Sequence, residues 1–278
     1  MLNKLSSTAI FKQLPIRRRA TATTATTTQS LLKPIAVTTF NRSLFYNRKP
    51  YNRRSKQFAR NTLLTSKMTL ITISQSLDEA FTKNKIVPDV VDDFETQGLL
   101  SIEYGPTELV TLGNTLSVSG TQDKPKIQLT LNSPTEDGKI ESINEGDKFI
   151  LVLTDPDAPS NSDHKWSEYL HWLVTDITLP NLKTESGEPE ISHFIDAAQG
   201  KEVFKYEGPG PPPKTGKHRY VFLLFKQDPK VSKFEAPKDR PNWGTGTPSS
   251  GVRDWIKAQA PGSKLLAVNF FYAQNEDN

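Results

Sequence analysis

Cysteine is absent from the 278 residues, which removes disulfide staples, a thiol nucleophile and thiolate metal sites from consideration. Long apolar runs are missing as well: none approaches the roughly 18–20 residues that a membrane-spanning helix needs. Acidic residues are missing from one part only. Residues 1–67 hold 14 Lys or Arg and no Asp or Glu, so the remaining 211 residues carry 21 basic and 31 acidic side chains, a formal net charge of −10. The whole-chain charge of +4 conceals this division. Because the part with the composition to fold is acidic, a nucleic-acid partner is disfavoured.

The acid-free segment has the makings of an address. Arg17-Arg18-Arg19 precedes a Thr/Ala-rich run from Ala20 to Thr28, and a second basic stretch runs from Arg48 to Arg60. Arginine-rich, hydroxyl-rich and acid-poor is the composition of a mitochondrial transit peptide, and Leu2, Leu5, Ile10, Phe11 and Leu14 give it a loosely amphipathic opening. The alternative is a disordered basic tail with too little periodic apolar content to fold. Met68 stands where the composition switches, which makes it a candidate start for a leaderless form comprising residues 68–278.

Beyond Met68 the hydrophobic period changes along the chain. Ser76-x-x-Glu79 has capping-box spacing, with Leu77, Ala80 and Phe81 at helical positions and Pro88 as the stop. Ile127, Leu129 and Leu131 alternate with polar residues and predict a half-buried strand. Phe149–Leu153 and Tyr220–Phe225 are dense, β-branched or aromatic and bounded by Pro and Gly, as buried strands are. His171–Val174 and Leu265–Tyr272 predict two more strands, and Val252, Trp255 and Ile256 one late helix started by Ser249 or Ser250. Strands dominate, with helices at their flanks.

Histidine is scarce, four residues in all, yet two of the four open strands beside rigid loops. Asp155-Pro-Asp-Ala-Pro159 follows one buried strand, and His171 begins the next; Gly208-Pro-Gly-Pro-Pro-Pro213 leads into His218-Arg219-Tyr220. Separately these are a turn, a satisfied histidine and a polyproline loop. Together they place polar side chains at strand ends next to loops whose backbone approaches a ligand closely. Imidazole N–H groups and a Tyr hydroxyl suit an anion. Asp155 fits such a site if it accepts the other N–H of a histidine and favours the protonated ring. Binding is then expected to strengthen as pH falls toward about 6.5, the unperturbed histidine value.

These two segments resemble the signature regions of the phosphatidylethanolamine-binding protein family, which includes Raf kinase inhibitor protein. The stretches Thr154–Ser160, Asp163–Glu168, His218–Leu224, Asp239–Gly244 and Asn269–Ala273 are similar to its branch of yeast carboxypeptidase Y inhibitors. The resemblance runs from about Met68 to the C-terminus and leaves residues 1–67 aside. It implies a mainly β fold, a large central antiparallel sheet with a smaller sheet and peripheral helices, and a shallow pocket at one end. Carried over residue by residue, the pocket is lined by Asp155, Asp157, Pro159, Tyr169, His171, Gly208, Gly210, Pro212, His218 and Tyr220. Tyr169 stands where many members have Trp, and Pro213-Lys214 where Lys-Gly is more usual. Pro159 and Pro212 are the candidates for the family's cis peptides.

The resemblance also implies a function without catalysis or a cofactor: inhibition of a serine carboxypeptidase by the N-terminal peptide, here Met68-Thr69-Leu70, inserted into the protease. The alternative is a binder of anionic phospholipid headgroups, phosphate or phosphoproteins that regulates kinase or Ras-type signalling. Two Asp and two His also admit a metal-dependent hydrolase as a remote third reading, whereas no Gly-x-Ser-x-Gly is present for nucleophilic catalysis. A start at Met68 implies the cytoplasm, or the vacuole together with the protease; a translated leader implies the mitochondrion.

Overall fold

The two densest apolar runs pair with each other in the middle of a sheet, because each has both faces buried. In the computed structural model, which describes residues 75–132, 142–180 and 191–277, they become strands β4 (Lys148–Asp155) and β8 (His218–Lys226). With β5 (Tyr169–Thr178), β7 (Lys201–Phe204) and β9 (Lys264–Ala273) they form a five-stranded antiparallel sheet in the order β7-β5-β4-β8-β9. A second antiparallel sheet, ordered β2-β1-β3-β6, comprises β1 (Gly98–Gly105), β2 (Glu108–Leu109), β3 (Lys126–Leu131) and β6 (Ser192–Phe194).

Two apolar layers cover the larger sheet. Leu151, Leu153, Tyr220, Phe222 and Leu224 face the smaller sheet and pack with its Leu100, Ile102, Ile127 and Leu129. Their neighbours in the pleat, Ile150, Val152, Val221, Leu223 and Phe225, face the opposite way and pack with Leu77, Phe81, Val252, Trp255 and Ile256 of the helices. Burial on both faces explains why β4 and β8 read as unbroken apolar runs rather than alternating ones.

The first helix, α1, spans residues 75–83. It already includes Gln75, so Ser76 stands inside it rather than at its cap, and the chain leaves the helix at Asn84–Lys85, ahead of Pro88. Pro88 falls within a four-residue turn, α2 (Ile86–Asp89). The late helix, α3, spans Val252–Gln259 with Gly251 at its N-cap, and no side chain of residue 251 caps it. Neither Ser249 nor Ser250 fills that role. The carboxylate of Glu168 does: Glu168 Oε2 accepts the Val252 N–H at 3.3 Å. A Cβ on Gly251 would overlap that carboxylate, so the residue must be glycine for reasons of space. Strands β1, β2, β6 and β7 escaped the periodicity argument, although β1 does alternate, burying Gly98, Leu100 and Ile102 and exposing Leu99 and Ser101.

Candidate functional site

Antiparallel pairing brings the end of β4 beside the starts of β5 and β8, and this assembles the site. Asp155 is paired with Tyr169, and Thr154 with Val221. The pleat then turns Asp155, His218 and Tyr220 to the same face, at the open end of the sandwich. His171 reaches that face through a bulge. Leu153 pairs with Trp172 but Thr154 with Leu170, which leaves His171 as the extra residue of β5; bulges of this kind re-aim a side chain.

The resulting cavity of about 160 Å³ is bounded by the ends of β4, β5 and β8 and by the Gly/Pro loop. Nine of the ten residues expected from sequence line it: Asp155, Pro159, Tyr169, His171, Gly208, Gly210, Pro212, His218 and Tyr220. Asp157 does not, and its assignment is corrected. The Asp155–Asp157 turn sends its carboxylate away from the cavity, where it is buried against Arg219: Asp157 Oδ2 accepts from the Arg219 N–H and Nε at 2.8 and 2.9 Å, and Oδ1 from a terminal nitrogen at 2.8 Å. Arg219 alternates with His218 along β8, so it emerges on the helix-covered face. There it also donates to the carbonyls of Asn84 and Lys85 and to Asp89. Met68, Thr69 and Leu70 lie outside the described residues. Ala158–Pro159 is cis as expected, whereas Pro212 is not among the cis bonds of the described residues, which otherwise fall at Val87–Pro88 and Ser167–Glu168.

Asp155 and His218 form a buried pair, 2 % and 1 % exposed, with His218 Nδ1 2.8 Å from Asp155 Oδ2. The other carboxylate oxygen accepts the Asp157 N–H at 2.7 Å, so the turn holds Asp155 in place. His218 Nε2 lies 2.9 Å from the Thr215 hydroxyl. Because that hydroxyl donates to the Pro212 carbonyl at 2.7 Å, its oxygen is left to accept from the histidine. His171 is held differently. Its Nδ1 donates to the Glu207 carbonyl at 2.8 Å, while the Glu207 N–H donates back to the His171 carbonyl at 3.0 Å. Burial holds the His171 ring below the ordinary histidine range, outweighing the nearby Asp155 carboxylate. Asp155 thus engages His218 rather than His171, and desolvation disfavours the charged form of the His171 ring.

Glu207, which sequence reasoning missed, closes the rim. It accepts the Tyr169 hydroxyl at 3.0 Å and pairs with Arg240 Nε at 2.9 Å. Burial, with the Glu207 charge behind it, pushes the Tyr169 hydroxyl up to about 12. Arg240, from the Asp239–Gly244 segment, further donates to the carbonyls of Leu170, His171 and Lys205. Trp166 forms the outer wall. Gly208 lets the loop lie against Gln122, where a Cβ would meet that residue at 2.8 Å; Gln122 Nε2 donates to the Pro209 carbonyl at 2.9 Å. Among the described residues no group of three or more His, Asp or Glu is placed to hold a metal ion.

A two-sheet β sandwich with a His–Asp pocket at its open end, and strand-end loops rich in Gly and Pro, defines a binding domain of one known kind. The chain belongs to the phosphatidylethanolamine-binding protein family, whose profile matches residues 92–271. Among individual relatives it is similar to the carboxypeptidase Y inhibitor of Saccharomyces cerevisiae, 40 % identical over 217 residues that cover 74 % of this chain and 98 % of the inhibitor. It is also similar to protein FLOWERING LOCUS T of Arabidopsis thaliana, 34 % identical over 69 % of this chain and 89 % of that one. The crystal structure of carboxypeptidase Y inhibitor complexed with the cognate proteinase aligns with a TM-score of 0.66 over 73 % of this chain and 97 % of the inhibitor chain. A phosphatidylethanolamine-binding protein from Plasmodium vivax, 21 % identical with a TM-score of 0.51 over 71 % of this chain and 97 % of that one, shares the fold.

Proposed function

We propose that this chain inhibits a serine carboxypeptidase of the carboxypeptidase Y type, and that its pocket holds a phosphoryl group rather than performing catalysis. The observation that carries the inhibitory function is the 40 % identity to carboxypeptidase Y inhibitor across 98 % of that protein, matched by the alignment with the inhibitor bound to its proteinase. The inhibitory element is the peptide Met68-Thr69-Leu70, presented at the free end of a form that begins at Met68. That form resides in the cytoplasm or, with its protease, in the vacuole; the form carrying residues 1–67 is mitochondrial, and its leader blocks insertion. The test compares the 1–278 and 68–278 chains against a serine carboxypeptidase. Inhibition at micromolar concentration by the shorter chain, and at least tenfold weaker inhibition by the longer, is the expected outcome. Failure of the 68–278 chain to inhibit at micromolar concentration refutes the proposal.

A second reading, a regulator that binds phospholipid or phosphoprotein and acts on kinase or Ras-type signalling, is favoured by the pocket alone, since it requires no particular N-terminus. The phosphoryl pocket included in both readings rests on Asp155 and His218. In the chain carrying His218→Ala, binding of phosphoethanolamine is expected to weaken at least tenfold by calorimetry, and unchanged affinity removes the pocket from the function.

A further inference from the structure

Behind the Asp155–Asp157 turn, on the side to which Asp157 points, lies a second and larger cavity of about 360 Å³. The end of α1, the loop at residues 161–164, Asp89, Arg219 and Tyr272 bound it. Its inner wall is internally matched, since the Arg219 guanidinium is paired with Asp157 and with Asp89. Its rim is not. Lys83 and Lys85 are both exposed, and among the described residues neither ammonium has a carboxylate partner. Three Lys or Arg and two Asp therefore line a cavity in a part of the chain whose formal net charge is −10. A positive spot on an acidic body draws anions. Acceptors stand beside these donors. Asp89 gives one carboxylate oxygen to Arg219 and keeps the other. His164 donates from Nδ1 to the Pro156 carbonyl at 3.0 Å, and its Nε2 has no partner among the described residues. A bare oxyanion would leave these acceptors unmatched, whereas a molecule with hydroxyls beside its anionic group answers both. The cavity has the room: small-molecule sites run from roughly 300 to 1,000 Å³.

We propose that this cavity is a second binding site, for a soluble phosphorylated sugar, and that its occupancy tightens the pocket on the other side of the turn. Lys83 and Lys85 take the phosphate, while Asp89 and His164 take hydroxyls. A continuous run of hydrogen bonds joins the two sites. Arg219 holds the end of α1 through the carbonyls of Asn84 and Lys85, at 3.1 and 2.9 Å. The same guanidinium holds the Asp157 carboxylate at 2.8 and 2.9 Å. The Asp157 N–H in turn holds Asp155 at 2.7 Å, and Asp155 holds His218 at 2.8 Å. His164 grips the same turn at its middle residue, Pro156. A sugar phosphate that draws Lys83 and Lys85 toward His164 braces Arg219 and the turn together, and so fixes Asp155 in the geometry that orients His218. By linkage, a ligand in the pocket must tighten the second site by the same factor. The coupling presupposes the phosphoryl pocket proposed above; the second site does not.

The test is calorimetry of the full chain at pH 7, with glucose 6-phosphate as the probe of the second site and phosphoethanolamine as the probe of the pocket. Glucose 6-phosphate is expected to bind the parent chain, to bind Lys83→Ala/Lys85→Ala at least tenfold more weakly, and to bind His218→Ala within threefold of the parent. Both lysines are exposed, so the double variant keeps the fold, and phosphoethanolamine should bind it as it binds the parent. The reverse pattern, with affinity lost in His218→Ala and kept in the double variant, puts the ester in the pocket and overturns the second site. No binding of glucose 6-phosphate overturns it as well. Glucose and inorganic phosphate are each expected to bind at least tenfold more weakly than glucose 6-phosphate, and phosphate of equal affinity overturns the sugar class. With glucose 6-phosphate at saturation, phosphoethanolamine is expected to bind the parent at least threefold more tightly and the double variant no differently. Unchanged affinity in the parent overturns the coupling. If phosphoethanolamine does not bind at all, the phosphoryl reading of the pocket falls and the coupling with it, while the glucose 6-phosphate titrations still decide the second site.

Discussion

A chain carrying Arg219→Leu is expected to lose about 3–5 kcal/mol of folding stability, because breaking a buried ion pair leaves one charge without compensation. Asp157 is 3 % exposed, and its carboxylate rests on three hydrogen bonds from Arg219, one from the backbone and two from the guanidinium. Removing the guanidinium strands that charge and also frees the carbonyls of Asn84 and Lys85. The loss would be read in urea unfolding. A change of less than about 1 kcal/mol, typical of exposed pairs, would show that the pair is not buried in the working protein. The double variant Arg219→Leu/Asp157→Leu separates charge from packing, since an apolar replacement of both partners is often close to neutral. The pair also bears on the pocket. Asp157 donates its N–H to Asp155 at 2.7 Å, so releasing Asp157 loosens the carboxylate that orients His218, and binding of phosphoethanolamine should weaken in parallel with stability.

That arrangement shows where sequence reasoning reached and where it stopped. Asp155 and Asp157 are two residues apart in one Asp-Pro-Asp turn, and nothing local distinguishes them. Their fates diverge because of tertiary placement: Asp155 meets His218 on the inner face of β8, whereas Asp157 meets Arg219, the next residue along, on the outer face. The strands that build the site, β4, β5 and β8, were legible because each carries a dense apolar run. Strands β6 and β7, three and four residues long, are too short for periodicity to register. Glu207 was invisible for another reason. It sits outside any strand and fixes His171 through its backbone carbonyl, which no residue type advertises. The bulge at His171 is likewise a property of strand pairing, although it decides which way the ring points.

Glu168 is the residue whose role is hardest to read from sequence and whose titration is expected to dominate stability near neutral pH. Its carboxyl is buried, 3 % exposed, and receives the Thr154 hydroxyl at 2.9 Å and the Val252 N–H at 3.3 Å. The Trp243 indole donates in turn to Thr154 at 3.2 Å. One carboxyl thus joins the end of β4, the turn before β5, the Asp239–Gly244 segment and the start of α3. Burial raises it from the ordinary 4.5 to about 8, against the hydrogen bonds from Thr154 and Val252 and the charge of Arg253, with Asp254 adding to the rise. A group whose folded value is raised favours folding fully below its unfolded value, and that contribution fades as pH rises through the folded one. For Glu168 the window runs from about 4.5 to about 8, and the shift corresponds to a loss on the order of 3–5 kcal/mol across it. In Glu168→Gln the amide oxygen keeps both accepted bonds and the side chain cannot ionise. The variant should therefore match the parent near pH 4.5 and exceed its stability by a margin that grows toward pH 8. Other titrating groups are common to both chains, so the difference between their urea midpoints isolates this one. A difference that stays constant from pH 5 to pH 8 would show that Glu168 is ionised throughout, and that its bonds to Thr154 and α3 hold a charge rather than a neutral acid.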